Sequence, residues 1–138
     1  MDPSFHTLFI VNRQYALIFE CSCSLKLKDK QERLTTQSLA YGSLDLITDM
    51  FWQKETNYLG VVDRFCQFVV SAFVAYSGVM FLLVHYDRPD DWSKSFLTDV
   101  FELYSRVSLN PFFDFEDYIH SKDFMENMKQ LCRKHCGP

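Results

Sequence analysis

The spacing of hydrophobic and polar positions changes repeatedly along the chain. Phe5 to Val11, FHTLFIV, and Tyr15 to Cys21, YALIFEC, are short apolar runs separated by the polar Asn12-Arg13-Gln14, a pattern that predicts an opening β-hairpin. A polar stretch from Ser22 to Lys30 follows. From Gln31 the period lengthens: Ala40, Leu44, Ile47 and Phe51 fall on one helix face, and Leu39, Leu46 and Met50 form a second apolar stripe about 100° around the cylinder. Tyr58 to Asp63, Phe68 to Ala75 and Val79 to Tyr86 then read as strands, the last two joined by a tight Ser77-Gly78 turn. Their apolar residues do not alternate with polar ones, so helices are expected on both faces of the sheet.

That cover comes next in the chain. Asp90 or Asp91 is placed to cap a helix from Trp92 to Leu109, with Phe96, Val100, Leu103 and Val107 on one face and Leu97, Phe101 and Tyr104 beside them. Ser121 is placed to cap a last helix that aligns Phe124, Met128, Leu131 and His135. The resulting expectation is a single α+β domain over residues 1–138: a five-stranded antiparallel sheet with one helix on one face and two on the other.

Between the last two helices stands Arg106 to Asp114, RVSLNPFFD. Pro111 cannot continue a helix and biases Asn110 away from helical geometry, so Asn110-Pro111 is a stop. Asn-Pro-Phe in an exposed loop is also a known kind of short linear ligand. Because burying a Phe ring contributes about 2 to 3 kcal/mol, Phe112 is expected to plug the core between the two helices rather than to be displayed.

Composition narrows the function. A chain of 138 residues is the size of one domain, which buries roughly two thirds of its unfolded surface. The aromatic share, 17% with 14 Phe, implies large rings between layers or against a partner. A net charge of -4 with a pI near 5.5 offers no footprint for nucleic acid, and no polybasic run faces anionic lipid. Phe65 to Val84 approaches the roughly 20 residues of a membrane span, but Ser77-Gly78 interrupts it and its Val- and Phe-rich halves suit two buried strands. No transmembrane segment is expected.

Catalytic and metal candidates are few. Five cysteines is an odd number without a framework spacing, and Met1-Asp2-Pro3-Ser4 lacks a signal-peptide layout, so reduced cytosolic thiols are expected. Cys21, Cys23, Cys132, His135 and Cys136 lack the paired spacing of a zinc site. A small thiol hydrolase built on Cys66 or Cys132 would need a base, and His6, His85 and His120 sit in strand or loop positions with no pattern around a nucleophile. Glycines are too scattered for a phosphate loop, and Asp90-Asp91, Asp114, Glu116 and Asp117 read as helix-end and loop charge. No cofactor is expected. What the sequence does offer is surplus apolar surface on the first helix. Leu39, Leu46 and Met50 form a partner-binding stripe or else pack beneath the Ser22 to Lys30 loop, while Ser38, Asp45 and Asp49 line the opposite side.

Four stretches carry a resemblance: Ser43-Leu44-Asp45-Leu46, Val69 to Val74 (VVSAFV), Phe96 to Tyr104 (FLTDVFELY) and Ser108 to Phe113 (SLNPFF). In this order and spacing the chain resembles the sedlin family, small longin-fold subunits of the TRAPP vesicle-tethering complex, from Phe5 to His135. The resemblance implies a longin-like fold and a non-catalytic adaptor. It would work in a complex that exchanges guanine nucleotide on Rab-type GTPases during transport between endoplasmic reticulum and Golgi. The implied partners are the other TRAPP subunits, core and complex-specific, with the Rab-type GTPase contacted indirectly. The implied location is cytoplasmic, peripheral at those membranes. The aspartate of Leu-Asp-Leu, here Asp45, matters for partner binding in that family. Other longin-type trafficking modules are the nearest alternative, although the SNARE form would need a heptad helix and a C-terminal anchor.

Overall fold

The computed structural model describes residues 6–22, 30–53, 57–65, 68–75, 78–86, 90–113, 119 and 121–136. Five strands, β1 (His6–Val11), β2 (Leu17–Ser22), β3 (Tyr58–Phe65), β4 (Phe68–Val74) and β5 (Met80–Tyr86), form one antiparallel sheet in the order β2-β1-β5-β4-β3. Helices α1 (Lys30–Gly42) and α2 (Leu44–Gln53) carry the chain from one edge strand to the other, and α3 (Asp90–Ser108) and α4 (Lys122–Cys136) follow β5. This is the expected α+β layout, consistent with a longin-like fold.

The continuous apolar runs divide by alternation between two cores. Leu8, Ile10, Phe73, Phe81 and Leu83 face α3 and α4, where they meet Phe96, Leu97, Val100, Phe124 and Met128. Phe9, Val11, Val70, Ala72, Leu82 and Val84 face the other way, toward Ala40, Leu44 and Ile47 of α1 and α2. Every residue of β4 is buried, which is why the strand shows no polar alternation in sequence. The segment that approaches a membrane span in length is thus two strands, and among the described residues no helix is long and apolar enough to cross a bilayer.

Local chemistry fixes the turns. The Asn12 side chain accepts hydrogen bonds from the Gln14 and Ala16 amides at 2.9 and 3.0 Å, and its backbone pairs with Ala16 at 2.9 Å. The loop therefore runs through Ala16, with Tyr15 at φ 65°, and β2 starts two residues later than the apolar run suggests. At the β4–β5 turn Ser77 lies outside the described residues, while Gly78 holds φ 94°, and a Cβ there would meet Arg13 Cβ at 2.8 Å. Only glycine lets the two turns touch. At the edges, the Ile18 carbonyl of β2 accepts the Ile119 amide at 2.7 Å, and β3 shifts register between Tyr58 and Gly60 and again between Val61 and Asp63.

The first helix departs from its expected continuity. It breaks at Ser43, whose amide lies 3.1 and 3.2 Å from the Leu39 and Ala40 carbonyls. The Ser43 hydroxyl donates to the Ala40 carbonyl at 2.8 Å, and α2 begins when the Ile47 amide bonds the Ser43 carbonyl. A Gly-Ser pair is a recognised bending point.

The last two helices are tied at one end. Asp99 on α3 accepts from His135 Nε2 at 2.9 Å and Lys134 Nζ at 3.2 Å, and the Trp92 indole donates to the His135 carbonyl. Ser121 caps α4 as expected, its hydroxyl accepting from the Phe124 amide, whereas Asp91 already lies inside α3. The inner stripe of α4 centres on Cys132, with Leu131 only half-buried. Among the described residues, the Tyr104 hydroxyl is buried without a hydrogen-bond partner, and burial raises its pKa.

Two outcomes follow from this packing. Removing the orphaned hydroxyl in Tyr104→Phe relieves a desolvation penalty at little cost in shape, so the urea midpoint should hold or rise, by up to about 1 kcal/mol. Partial burial pushes the Asp99 carboxyl up, but hydrogen bonds and charge from His135 and Lys134 outweigh it and hold the pKa below its usual value. A pKa lowered in the folded state stabilises above the unfolded value and is lost as pH falls through the folded one. Asp99→Asn should therefore cost about 1 kcal/mol or less near neutral pH, and the difference from the parent should vanish in acid below the usual carboxylate range.

Candidate functional site

Among the described residues, those with chemical potential do not converge on one accessible site. His85 is buried, its Nδ1 directed at the Tyr86 carbonyl. A carbonyl only accepts, so Nδ1 carries the proton and Nε2 accepts from the Ser71 and Ser93 hydroxyls at 2.9 and 3.2 Å. Ser71, His85 and Ser93 are all at most 1% exposed, so no substrate reaches them, and the arrangement is a polar link between the sheet and α3. Cys21 is a buried free thiol whose pKa is raised, first by burial and further by Glu20, with Lys129 opposing.

Cys132 corrects the expectation of free thiols throughout: it is buried and disulfide-bonded. The inner face of α4 carries Cys132 into the core that also holds Cys21, but Cys21 remains a free thiol. Cys23, Cys66, His120 and the acidic Asp114, Glu116 and Asp117 lie outside the described residues, as do the side chains of His6, Phe51, Asp90 and Cys136. Among the described residues no group of three or more His, Cys, Asp or Glu converges as a metal site.

The surface of α1 and α2 is different. Asp45 and Asp49 are exposed on one stripe of α2, Leu46 beside them is 43% exposed, and Tyr41 at the end of α1 is 44% exposed. Asp45 sits in the first turn of α2, where a negative charge is favoured by the helix dipole. The α2 sequence, LDLITDMFWQ, contains no basic residue to neutralise it. Tyr15 extends the surface from the β1–β2 turn, its hydroxyl 3.2 Å from the Thr48 hydroxyl, which in turn donates to the Leu44 carbonyl. Glu20 reaches the other end, accepting from Gln37 at 3.2 Å. Partial burial and the Glu20 charge raise the Tyr41 pKa.

The expected stripe is therefore divided. Leu46 and Asp45 face outward, whereas Leu39 and Met50 are half-buried and pack against the second core. The Ser43 break places Leu39 on one helix and Leu46 and Met50 on the next, so the stripe is not continuous. Tyr15 and Tyr41, which periodicity did not single out, join the surface; their signal was position, in a polar turn and beside Gly42.

A second exposed feature overturns an expectation. Phe112 is 93% exposed, and Phe113 is the ring that turns inward, edge-on to Tyr104 with centroids 5.7 Å apart. The Asn110 side chain accepts from the Phe112 amide at 3.0 Å, and the Asn110 carbonyl accepts from the Phe113 amide at 2.9 Å. This turn leaves Phe112 at its outer corner and returns the chain one residue later, so the inward position falls to Phe113.

Against known proteins, the family model described as Sedlin matches residues 10–134. The chain belongs to the sedlin family. Among curated relatives of this sedlin-family chain, it is 31% identical to a probable trafficking protein particle complex subunit 2 of Drosophila melanogaster, covering 80% of this chain and 79% of that one. The Caenorhabditis elegans protein of the same name is 30% identical over 86% of each chain. The trafficking protein particle complex subunit 20 of Saccharomyces cerevisiae is 35% identical, covering 70% and 76%.

Thiol labelling checks the state of the two buried cysteines. In native protein at neutral pH, Cys21 should resist alkylation because it is buried and held protonated. Cys132 should become labelled only after reduction and unfolding; rapid selective labelling of Cys132 in the native state would restore its reading as a nucleophile.

Proposed function

We propose that this chain, a single domain over residues 1–138, is a non-catalytic adaptor subunit of a trafficking protein particle complex. The observation that carries the reading is the outer surface of α2, where exposed Leu46 adjoins the stripe of exposed carboxylates formed by Asp45 and Asp49, with Tyr15 tied to Thr48 of the same helix and Tyr41 exposed at the end of α1. An apolar side chain with an acidic stripe along one side suits a neighbouring subunit that offers an apolar socket with basic residues on the matching side. Family membership and the names of the relatives support the assignment to such a complex.

In this reading the chain works through other subunits. Nucleotide exchange on a Rab-type GTPase belongs to the assembled complex, and the chain contributes by joining core and complex-specific subunits. It is held peripherally at membranes between endoplasmic reticulum and Golgi by that assembly. Within the binding surface, Asp45 and Leu46 make direct contact. Leu39 and Met50, packed beneath, hold α1 and α2 at the angle that presents them.

Charge reversal tests it. Asp45→Arg should leave the urea midpoint of the isolated chain within about 0.5 kcal/mol of the parent, as at other exposed sites. In reconstitution with purified tethering subunits, it should weaken assembly by about tenfold or more. Undiminished assembly would sink the assignment of this surface, and so would unfolding of the isolated chain.

A further inference from the structure

The turn at the end of α3 has the form of a displayed ligand. Leu109, Asn110, Pro111 and Phe112 are all exposed, and the two apolar side chains among them are the most exposed large hydrophobics described, Leu109 at 82% and Phe112 at 93%. Among the described residues no other Phe or Trp is exposed, so such a pair at one tip stands out. The tip is also fixed in shape. The Leu109 and Asn110 amides bond the Arg106 and Val107 carbonyls at 3.3 and 3.1 Å, continuing the end of the helix into the turn. Pro111 locks one backbone angle, the Asn110 side chain holds the Phe112 amide, and the Phe113 amide closes the turn on the Asn110 carbonyl. Phe113 then anchors the far side against Tyr104. The Phe112 ring is thus held out from both flanks.

From this we infer that Asn110-Pro111-Phe112 is a second docking site, recognised by a protein domain that receives the Phe112 ring in an apolar pocket and reads the Asn-Pro turn beneath it. The constraints at both ends mean that little backbone freedom is lost on binding, which favours the intact chain over a flexible peptide of the same sequence. One ring entering a deep pocket is the usual form of an energetic hot spot. Leu109, one helical step back, supplies a second apolar contact at the pocket rim. The site is independent of the surface proposed above. It projects from the layer of α3 and α4, while Asp45 and Leu46 lie on α2, over the opposite face of the sheet.

The experiment uses a purified domain of the kind that binds Asn-Pro-Phe peptides, titrated by calorimetry with the full chain and, separately, with the nonapeptide Arg106 to Asp114. The full chain should bind saturably and more tightly than the peptide. Phe112→Ala should weaken binding by about tenfold or more with an unchanged urea midpoint, Asn110→Ala should weaken it by loosening the turn, and Asp45→Arg should leave it unaltered. Binding of the peptide but not of the full chain would overturn the inference, as would failure of both to bind or equal binding by Phe112→Ala. Sedimentation provides a further arm: self-association of the chain that is lost in Phe112→Ala would assign the ring to a second copy instead and overturn the proposed partner.

Discussion

The seam between β1 and β5 is the pairing on which the architecture rests. It joins the N-terminal hairpin to a meander of three strands, in register from His6 opposite His85 to Val11 opposite Met80. Both strands are buried on both faces, so each rung also sets which residues enter which core. A slip of one residue would send Leu8 and Ile10 toward α1 and α2, and Phe9 and Val11 toward α3 and α4. The seam is also the sheet's most distant pairing in sequence. Closing it costs the most loop entropy, and the two cores that it brings together must repay that cost.

The helical layers differ in how they complete this frame. On one side α3 and α4 bring rings and long aliphatic side chains onto Phe73, Phe81 and Leu83, with Phe124 edge-on to Phe19 at 4.8 Å. On the other side small and branched residues of α1 and α2, Ala40, Leu44 and Ile47, lie close to the sheet. On the outer side of these helices Tyr41, Asp45 and Leu46 are exposed. The aromatic excess of the composition is thus explained mainly by the layer of α3 and α4.

How much of this was legible in the sequence depended on which interaction decided each feature. Strands and helices followed from period, and the Ser121 cap from one side chain next to an amphipathic run. Asp45 was legible as exposed because it opposed the apolar stripe. The helix break at Ser43 was missed because both halves are amphipathic, so only the Gly-Ser pair marked it. The order of Phe112 and Phe113 was beyond any apolarity argument: both rings are equally hydrophobic, and the side-chain bond of Asn110 decides which one stands at the corner. The bonding of Cys132 was also missed, because five cysteines without a framework spacing gave no pairing to read.

An antiparallel sheet with two open edges invites further strands, either from a peptide or from another molecule of the same chain. Here Ile119 occupies the outer rung of β2 at Ile18, and the two register shifts of β3 interrupt the ladder that an incoming strand would have to match. Both borders are thereby blunted against strand addition, including the runaway kind that ends in fibres. Partners are left to engage the molecule through helix surfaces and turn tips, with side chains rather than main-chain ladders setting their identity.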